Sequence, residues 1–222
     1  MTQQHHTPNL QPTTADTPPW HMGADDWNRR YANDDFLWSV HPNALLAEQS
    51  ATLPAGRALD LAAGECRNAI WLASQGWTVD AVDFAALALA KGRRLAASRQ
   101  LDAQLHCICA DLETYQPAAG HYDLVTVLYL QLPWPTLAPI LLRAAKAVAP
   151  GGTLLLIAHD PQNLSHGHGG PRHAEVLYSA AQLASLLADE LHIEQAAQLP
   201  RTVQTADGPR QALDCLLRAS RR

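Results

Sequence analysis

Residues 57–68 read Arg57-Ala58-Leu59-Asp60-Leu61-Ala62-Ala63-Gly64-Glu65-Cys66-Arg67-Asn68, and a second acid, Asp83, follows Gly64 after 19 residues. The apolar run up to Leu61, followed at once by Ala62, Ala63 and Gly64, is the pattern of a buried strand entering a tight turn. A small-residue turn between a strand and a helix lets backbone N–H groups approach a ligand closely, and the helix N-terminus favours an anionic group. An acid about 20 residues beyond such a glycine turn is placed to accept hydrogen bonds from both hydroxyls of a ribose. Only Gly64 is glycine between residues 60 and 70, so the GxGxxG fingerprint is missing and a pyrophosphate-containing cofactor such as NAD is disfavoured.

Outward from this stretch the chain alternates short apolar runs with amphipathic ones. Strands are expected at Arg57–Leu61, Thr78–Val82, Leu105–Ala110, Asp123–Leu130 and Thr153–Ala158. Helices are expected at Asn68–Gln75, capped by Gly76, and at Ala85–Ser98, Thr136–Val148 and Ser179–Leu191, the last opening with a Ser-x-x-Gln capping box. Two late strands, Ile193–Leu199 and Ala212–Arg218, look like a closing antiparallel pair. Apolar strands interleaved with helices give an α/β fold with a mostly parallel sheet covered on both faces. Right-handed crossovers then bring the strand C-terminal ends, and with them Asp60, Asp83, Asp111, His159 and Asp160, to one rim.

The segment before this core divides in two. Residues 1–19 are polar and rich in Pro, Thr and Gln, a composition expected of a mobile tail. Residues 20–55 carry Trp20, Trp27, Tyr31, Phe36 and Trp38; Trp27 and Tyr31 share a helix face, and a second short helix is expected to start at Pro42. The domain proper is therefore 20–222, an aromatic cap on an α/β core of 56–222.

Composition bounds the function. The 222 residues carry 16 basic against 21 acidic side chains, a net charge of −5, which does not favour nonspecific nucleic-acid binding. No apolar run reaches the ~20 residues of a membrane span, and the first residues lack the basic and hydrophobic regions of a signal peptide. Neither a nucleic-acid nor a membrane partner is expected, and the expected compartment is the cytoplasm. The four cysteines form no CxxC pairing, so neither a disulfide framework nor a structural zinc site is indicated. Cys107 and Cys109 fit a strand as small hydrophobes.

In order and spacing, residues 56–160 resemble a class I S-adenosylmethionine-dependent methyltransferase. Asp60-Leu61-Ala62-Ala63-Gly64 is similar to that family's first motif and Asp83 to its ribose-binding acid. Cys109-Ala110-Asp111-Leu112 is similar to the third-strand segment, Tyr122-Asp123-Leu124-Val125 to the fourth-strand motif, and Ala149-Pro150-Gly151-Gly152-Thr153 to the turn before strand 5. The resemblance implies a Rossmann-like seven-stranded sheet with the last strand antiparallel, and S-adenosyl-L-methionine as cofactor. It implies that Asp60 and the Ala62–Gly64 backbone hold the methionine portion, Asp83 the ribose, and Asp111 with Leu112 the adenine, with Asn68 and Phe84 lining the same site. Cys66 stands where the family usually has a second glycine. The aromatic segment is similar to the cap of small-molecule members related to tellurite-resistance and thiopurine methyltransferases, which adds Trp27, Tyr31 and Trp38 as rings that shield a sulfonium from water.

The acceptor side is less explicit. Methyl transfer from a sulfonium needs alignment, a lone pair and dryness, so no metal or covalent nucleophile is required. The fourth strand ends Tyr129-Leu130-Gln131-Leu132-Pro133-Trp134, without the Asn/Asp-Pro-Pro-aromatic motif of enzymes that methylate adenine or protein amides. Tyr129 is a candidate catalytic side chain and Gln131 a candidate substrate contact. His159 is a candidate base, since imidazoles in general titrate near neutrality, and Asp160 is the candidate to orient it. The loop His159–His173 is expected to form a lid. Arg172 is a candidate for an anionic substrate and Tyr178 for a contact at the rim. His166, His168 and His173 are glycine-spaced and lack a clear fourth ligand, so no metal is expected. The expected reaction moves a methyl group to a small molecule through S, Se, Te, O or N; the alternative is a protein that binds the cofactor as a sensor or scaffold.

Overall fold

The computed structural model describes residues 22–33 and 35–222. The tail expected over 1–19 and the ring of Trp20 lie outside them. Two short helices come first, α1 (Ala24–Tyr31) and α2 (Ala44–Ser50). The core follows as β1 (Arg57–Leu61), α3 (Arg67–Ser74), β2 (Thr78–Asp83), α4 (Ala86–Ser98), β3 (Leu105–Cys109), β4 (Tyr122–Leu128), α5 (Trp134–Ala147) and β5 (Val148–His159). After β5 come α6 (Asn163–His166), a 3₁₀ turn (Ala174–Val176), α7 (Ala180–Leu187), β6 (His192–Thr205) and β7 (Gly208–Ser220).

The seven strands lie in the order β3-β2-β1-β4-β5-β7-β6. All neighbouring pairs from β3 to β5 are parallel, while β7 runs antiparallel to both β5 and β6. The sheet is thus mostly parallel with one reversed strand, as its sequence implied. Strand order reverses between β1 and β4, the crevice where open sheets of this type bind ligands.

Successive side chains leave a strand on opposite faces, and here both faces are covered. Leu59, Leu61, Val125, Val127, Leu154, Leu156 and Leu217 pack under α5 and α7. Ala58, Leu124, Leu155, Ile157 and Leu216 pack under α2, α3 and α4. The central strands are therefore mostly apolar, and a buried polar residue inside one is an exception that needs a partner. Asp60, Asp83, Thr126, Thr153, His159 and Asp214 are those exceptions, all buried and, by alternation with the apolar residues beside them, all on the α2–α3–α4 face.

Local signals act where the sequence places them. Gly76, at φ 93, ends α3: its N–H donates to Ala73 O and that of Trp77 to Leu72 O, satisfying the helix's last carbonyls. Ser179 Oγ caps α7 by accepting from Gln182 N. Pro42 does not open α2, however. Asn43 is the cap, its Oδ1 accepting from Leu46 N, because a side-chain acceptor satisfies an end N–H group that proline merely lacks. The closing hairpin is also longer than its apolar residues indicate. Residues 200–211 are polar and alternate between half-buried and exposed, continuing the ladder beyond the core to a turn at Ala206-Asp207. Pro200 is tolerated there because β6 is an edge strand. Among the described residues no helix is long and apolar enough to cross a membrane.

Candidate active site

The loop after β1 is coiled tightly. Ala62, Gly64 and Cys66 all have positive φ, at 59°, 53° and 61°. Only Gly64 adopts this region without a Cβ penalty, so Ala62 and Cys66 must be held there by their surroundings. Asp83 is the main brace. Its Oδ2 accepts from Gly64 N and its Oδ1 from Ala85 N, both at 2.8 Å, while Ala63 N donates to Val82 O. Each carboxylate oxygen keeps a lone pair for a further donor. Burial raises the pKa of Asp83, and these backbone N–H groups oppose the rise.

Asp60 and Thr126 are neighbours across β1 and β4. Thr126 Oγ1 donates to Asp60 Oδ1 at 2.7 Å, but Asp60 Oδ2, fully buried, has no partner. Burial pushes this carboxyl up to about 6. A buried, unpartnered carboxylate oxygen beside a loop of backbone amides is what the amino group of an amino-acid tail would satisfy.

Cys66 is accommodated by a reciprocal glycine. A Cβ on Gly92 of α4 would lie 2.6 Å from Cys66 Sγ and 2.7 Å from its Cβ, so the thiol fills the space that any other residue at 92 would occupy. Cys66 Sγ also lies 3.8 Å from Cys107 Sγ. That contact and burial raise the Cys66 thiol, while the same contact lowers Cys107.

The aromatic cap sits on this loop. Tyr31 Oη would lie 3.1 Å from a Cβ placed on Gly64, Trp38 Nε1 donates to Tyr31 Oη, and Trp27 stacks on the Tyr31 ring at 5.6 Å. Phe84 packs into the same cluster with Leu37 and Ala88. The cap is latched by Glu65, whose carboxylate accepts from Leu37 N, Trp38 N and Lys91 Nζ; Lys91 also donates to Asp35 O. Asn68, expected beside the cofactor, has its Oδ1 engaged by Asn43 N, tying α3 to the start of α2. Asp111 is exposed on the rim and accepts from Glu113 N, and Leu112 beside it is buried, its carbonyl held by Arg143.

On the acceptor side the structure corrects three expectations. Asp160 does not orient His159, since its Oδ1 accepts from Gln162 N and Gln198 Nε2. Asp214, directly across the β5–β7 ladder, stands 3.3 Å from His159 Nδ1 instead. Tyr129 is not free to take a proton: its hydroxyl donates to Asp214 Oδ2 at 2.7 Å, and burial followed by the Asp214 charge raises its pKa. Tyr178 reaches the rim but is only 1% exposed, and its hydroxyl bonds the N–H and carbonyl of Leu132, making it a strut beneath that backbone. Gln131 is half-buried and Arg172 exposed. The loop after β5 does lie over the rim, with Asn163 tying it down through Gly169 O and Leu213 N. Among the described residues no three potential metal ligands converge.

Sequence reasoning missed Glu65, Lys91, Thr126, Arg201 and Asp214. The available signal for Asp214 was an acid inside the apolar run Ala212–Leu217. A cleft of about 220 Å³ lined by Leu53, Trp77, Asp123 and Thr153 lies at the other end of the strands, away from these groups.

A family described as a methyltransferase domain matches residues 58–152. No curated protein sequence matches. Among solved structures, TehB from Haemophilus influenzae is similar with a TM-score of 0.67 and 14% identity, over 90% of this chain and 67% of that one. The N-methyltransferase NodS from Bradyrhizobium japonicum WM9, solved with S-adenosyl-L-homocysteine, gives 0.66 and 17% over 88% of this chain and 96% of that one. A structure concerned with converting a disulfide bond into a thioacetal group in echinomycin biosynthesis gives 0.67 and 18% over 83% of both chains. Over residues 58–152 the chain is similar to the methyltransferase-domain family, and its fold is that of solved S-adenosylmethionine-dependent methyltransferase structures.

Two outcomes are expected. Gly92→Ala should destabilise the fold by about 1–3 kcal/mol through overpacking, with most of that loss recovered in the Gly92→Ala/Cys66→Gly double variant, as read by urea unfolding. Asp60 binds its proton more tightly folded (about 6) than unfolded (3.8), so apo stability should fall as pH rises from about 4 to 6, by at most about 3 kcal/mol. Unfolding curves of Asp60→Asn across that range should lack this component.

Proposed function

We propose that the protein methylates a small-molecule acceptor, with the loop after β1 and the ends of β2 and β3 holding the cofactor and the ends of β4 and β5 holding the acceptor. The observation that carries this reading is the unpartnered, buried Asp60 Oδ2 beside the amide-lined Ala62–Gly64 turn. A group with an ammonium and a ribose fits that arrangement: Asp60 takes the ammonium and Asp83 the ribose hydroxyls through its remaining lone pairs, while the Ala62–Gly64 backbone, its Ala63 and Gly64 amides engaged by Val82 O and Asp83, lies against the methionine portion. Asp111 and Leu112 flank the adenine, with Phe84 packed behind. When bound, S-adenosylmethionine supplies an electrophilic methyl group on a sulfonium.

The chain's own residues do the rest. Trp27, Tyr31 and Trp38 close the site against water and offer aromatic faces to positive charge. Asn68 keeps α2 seated on α3. Tyr129, Gln131, His159 and Arg172 are the side chains that meet the acceptor, and Tyr178 fixes the Leu132 backbone beside Gln131. Alignment of two held reactants supplies ~7–11 kcal/mol of the barrier without a metal or covalent nucleophile. A small molecule is supported by the capped rim, the net charge of −5 and the Leu-Pro-Trp sequence after β4 where base-modifying enzymes carry Pro-Pro-aromatic.

Titration calorimetry with S-adenosylmethionine and S-adenosylhomocysteine tests the reading, followed by release of S-adenosylhomocysteine across thiols, phenols, amines and selenite. Asp83→Ala should weaken cofactor binding by roughly 10–100-fold, the value of one or two hydrogen bonds to a charged group. It should also lower stability, because Gly64 and Ala85 lose their acceptor. An unchanged dissociation constant refutes the ribose assignment, and tight binding with no product from any acceptor favours a sensor or scaffold.

A further inference from the structure

A buried cluster on the acceptor side is not required by cofactor binding. His159, the last residue of β5, and Asp214 of β7 are directly opposed in an antiparallel ladder, so their side chains leave the same face of the sheet. Asp214 is fully buried. Its Oδ2 accepts from Tyr129 Oη at 2.7 Å and from Arg201 Nε at 2.5 Å, and its Oδ1 lies 3.3 Å from both Arg201 Nη2 and His159 Nδ1. The imidazole contact is within reach but not aligned as a hydrogen bond, so Nδ1 lacks another partner. A fully buried carboxylate is ordinarily lifted in pKa; the Asp214 carboxyl is instead held below its usual range by His159, Arg201 and Tyr129 against the effect of burial.

The ring of His159 is enclosed on the same side. Tyr129 lies against it with ring centroids 4.8 Å apart. Gly170, at φ 74, covers the Nδ1 side so closely that a Cβ there would be 3.0 Å from Nδ1 and Cε1. Tyr129 itself is at φ 56, a conformation uncommon for a bulky residue and maintained by its bonds to Asp214 and Asn43. The charged and titratable groups facing His159 are therefore Asp214 from β7, Arg201 from β6 and Tyr129 from the end of β4. No described residue bonds Nε2.

We propose that Asp214 is a positioning residue that fixes the proton of His159 on Nδ1, leaving Nε2 as the base for an acceptor that enters with its proton on oxygen or nitrogen. This rests on the methyl-transfer reading above and narrows its acceptor to a hydroxyl, phenol or protonated amine rather than a preformed thiolate. The acceptor's proton passes to Nε2, before attack for an ammonium and during it for a hydroxyl; the acceptor oxygen or nitrogen would then bond the methyl carbon as the S–CH3 bond breaks and its electron pair stays on sulfur, and the imidazolium, facing the Asp214 carboxylate, later returns its proton to water. Arg201 keeps Asp214 ionised, and Tyr129 fills its second oxygen.

The test needs no known acceptor. Long-range proton–nitrogen correlation spectra of the full chain at pH 8, with His159 assigned through His159→Gln, report which ring nitrogen carries the proton. The expected result is Nδ1–H in the wild-type chain and in Tyr129→Phe, with a shift toward Nε2–H in Asp214→Asn. An Nε2–H ring in the wild-type chain, or a ring indifferent to Asp214→Asn in a folded variant, overturns the inference. With any acceptor that releases S-adenosylhomocysteine, Asp214→Asn should lower kcat by roughly 10²–10⁴-fold with KM little changed, and added imidazole should restore His159→Ala. A rise in KM alone, or no rescue, assigns Asp214 a merely structural role. Absence of cofactor binding by calorimetry would sink the methyl-transfer reading while leaving the tautomer result to stand or fall by itself.

Discussion

The coiled loop between β1 and α3 exists because a carboxylate one strand away holds it. Leu61 pairs with Val82 in the parallel ladder, so Asp83 emerges level with the turn and can accept from Gly64 N. Three positive-φ residues in five positions, two of them not glycine, are unstable in isolation by about 1–2 kcal/mol for each non-glycine residue. The constraint runs in both directions. The loop needs the acid to keep its shape, and the acid, buried at the rim, needs the loop amides to remain ionised. A place for a ligand follows from this mutual dependence, since each Asp83 carboxylate oxygen keeps a lone pair after accepting from Gly64 N or Ala85 N.

The cap depends on that loop through a buried ion pair. Glu65 and Lys91 are 3% and 4% exposed, and removing two charges from water costs several kcal/mol each unless further hydrogen bonds satisfy them. Here they are satisfied by Leu37 N, Trp38 N and Asp35 O, so the pair is stable only with the cap segment in place. Leaving the cap open strands both charges. The aromatic cover over the Gly64 turn is thereby coupled to the loop it covers, and Glu65 belongs at once to the cofactor loop and to the lid's attachment.

Much of this was legible in the sequence, and the limits have a physical basis. Apolar runs buried on both faces are conspicuous, so the strands, their order of appearance and the rim acids Asp60, Asp83 and Asp111 could be placed from residue pattern and spacing. Parallel βαβ geometry converts sequence interval into position, which is why an acid 19 residues beyond Gly64 meets that glycine. Asp160 follows His159 in sequence but not in space, because side chains of successive strand residues diverge and those opposite across a ladder, here His159 and Asp214, converge. The far half of the β6–β7 hairpin carried no apolar signal because it has no core beneath it. Cys66 departs from the glycine motif, and Gly92, 26 positions later, leaves the volume that its side chain fills.

The acceptor side joins the most distant parts of the chain. Asn43 caps α2 and donates to Tyr129 Oη, Tyr129 donates to Asp214, and Asp214 pairs with Arg201 of the edge strand. This hydrogen-bonded line crosses the C-terminal edge of the sheet from cap to hairpin, its first two members 86 positions apart in sequence and the next two 85. No local periodicity encodes such a line; it arises only when the reversed β7 is inserted between β5 and β6. The cofactor side is built from consecutive βα units and can vary little without losing the turn. The acceptor side is assembled from the cap, the loop after β5 and the closing hairpin, where polar side chains can be exchanged without disturbing the parallel core. Under the proposed function, specificity for the acceptor resides in the segments that contribute least to the apolar packing.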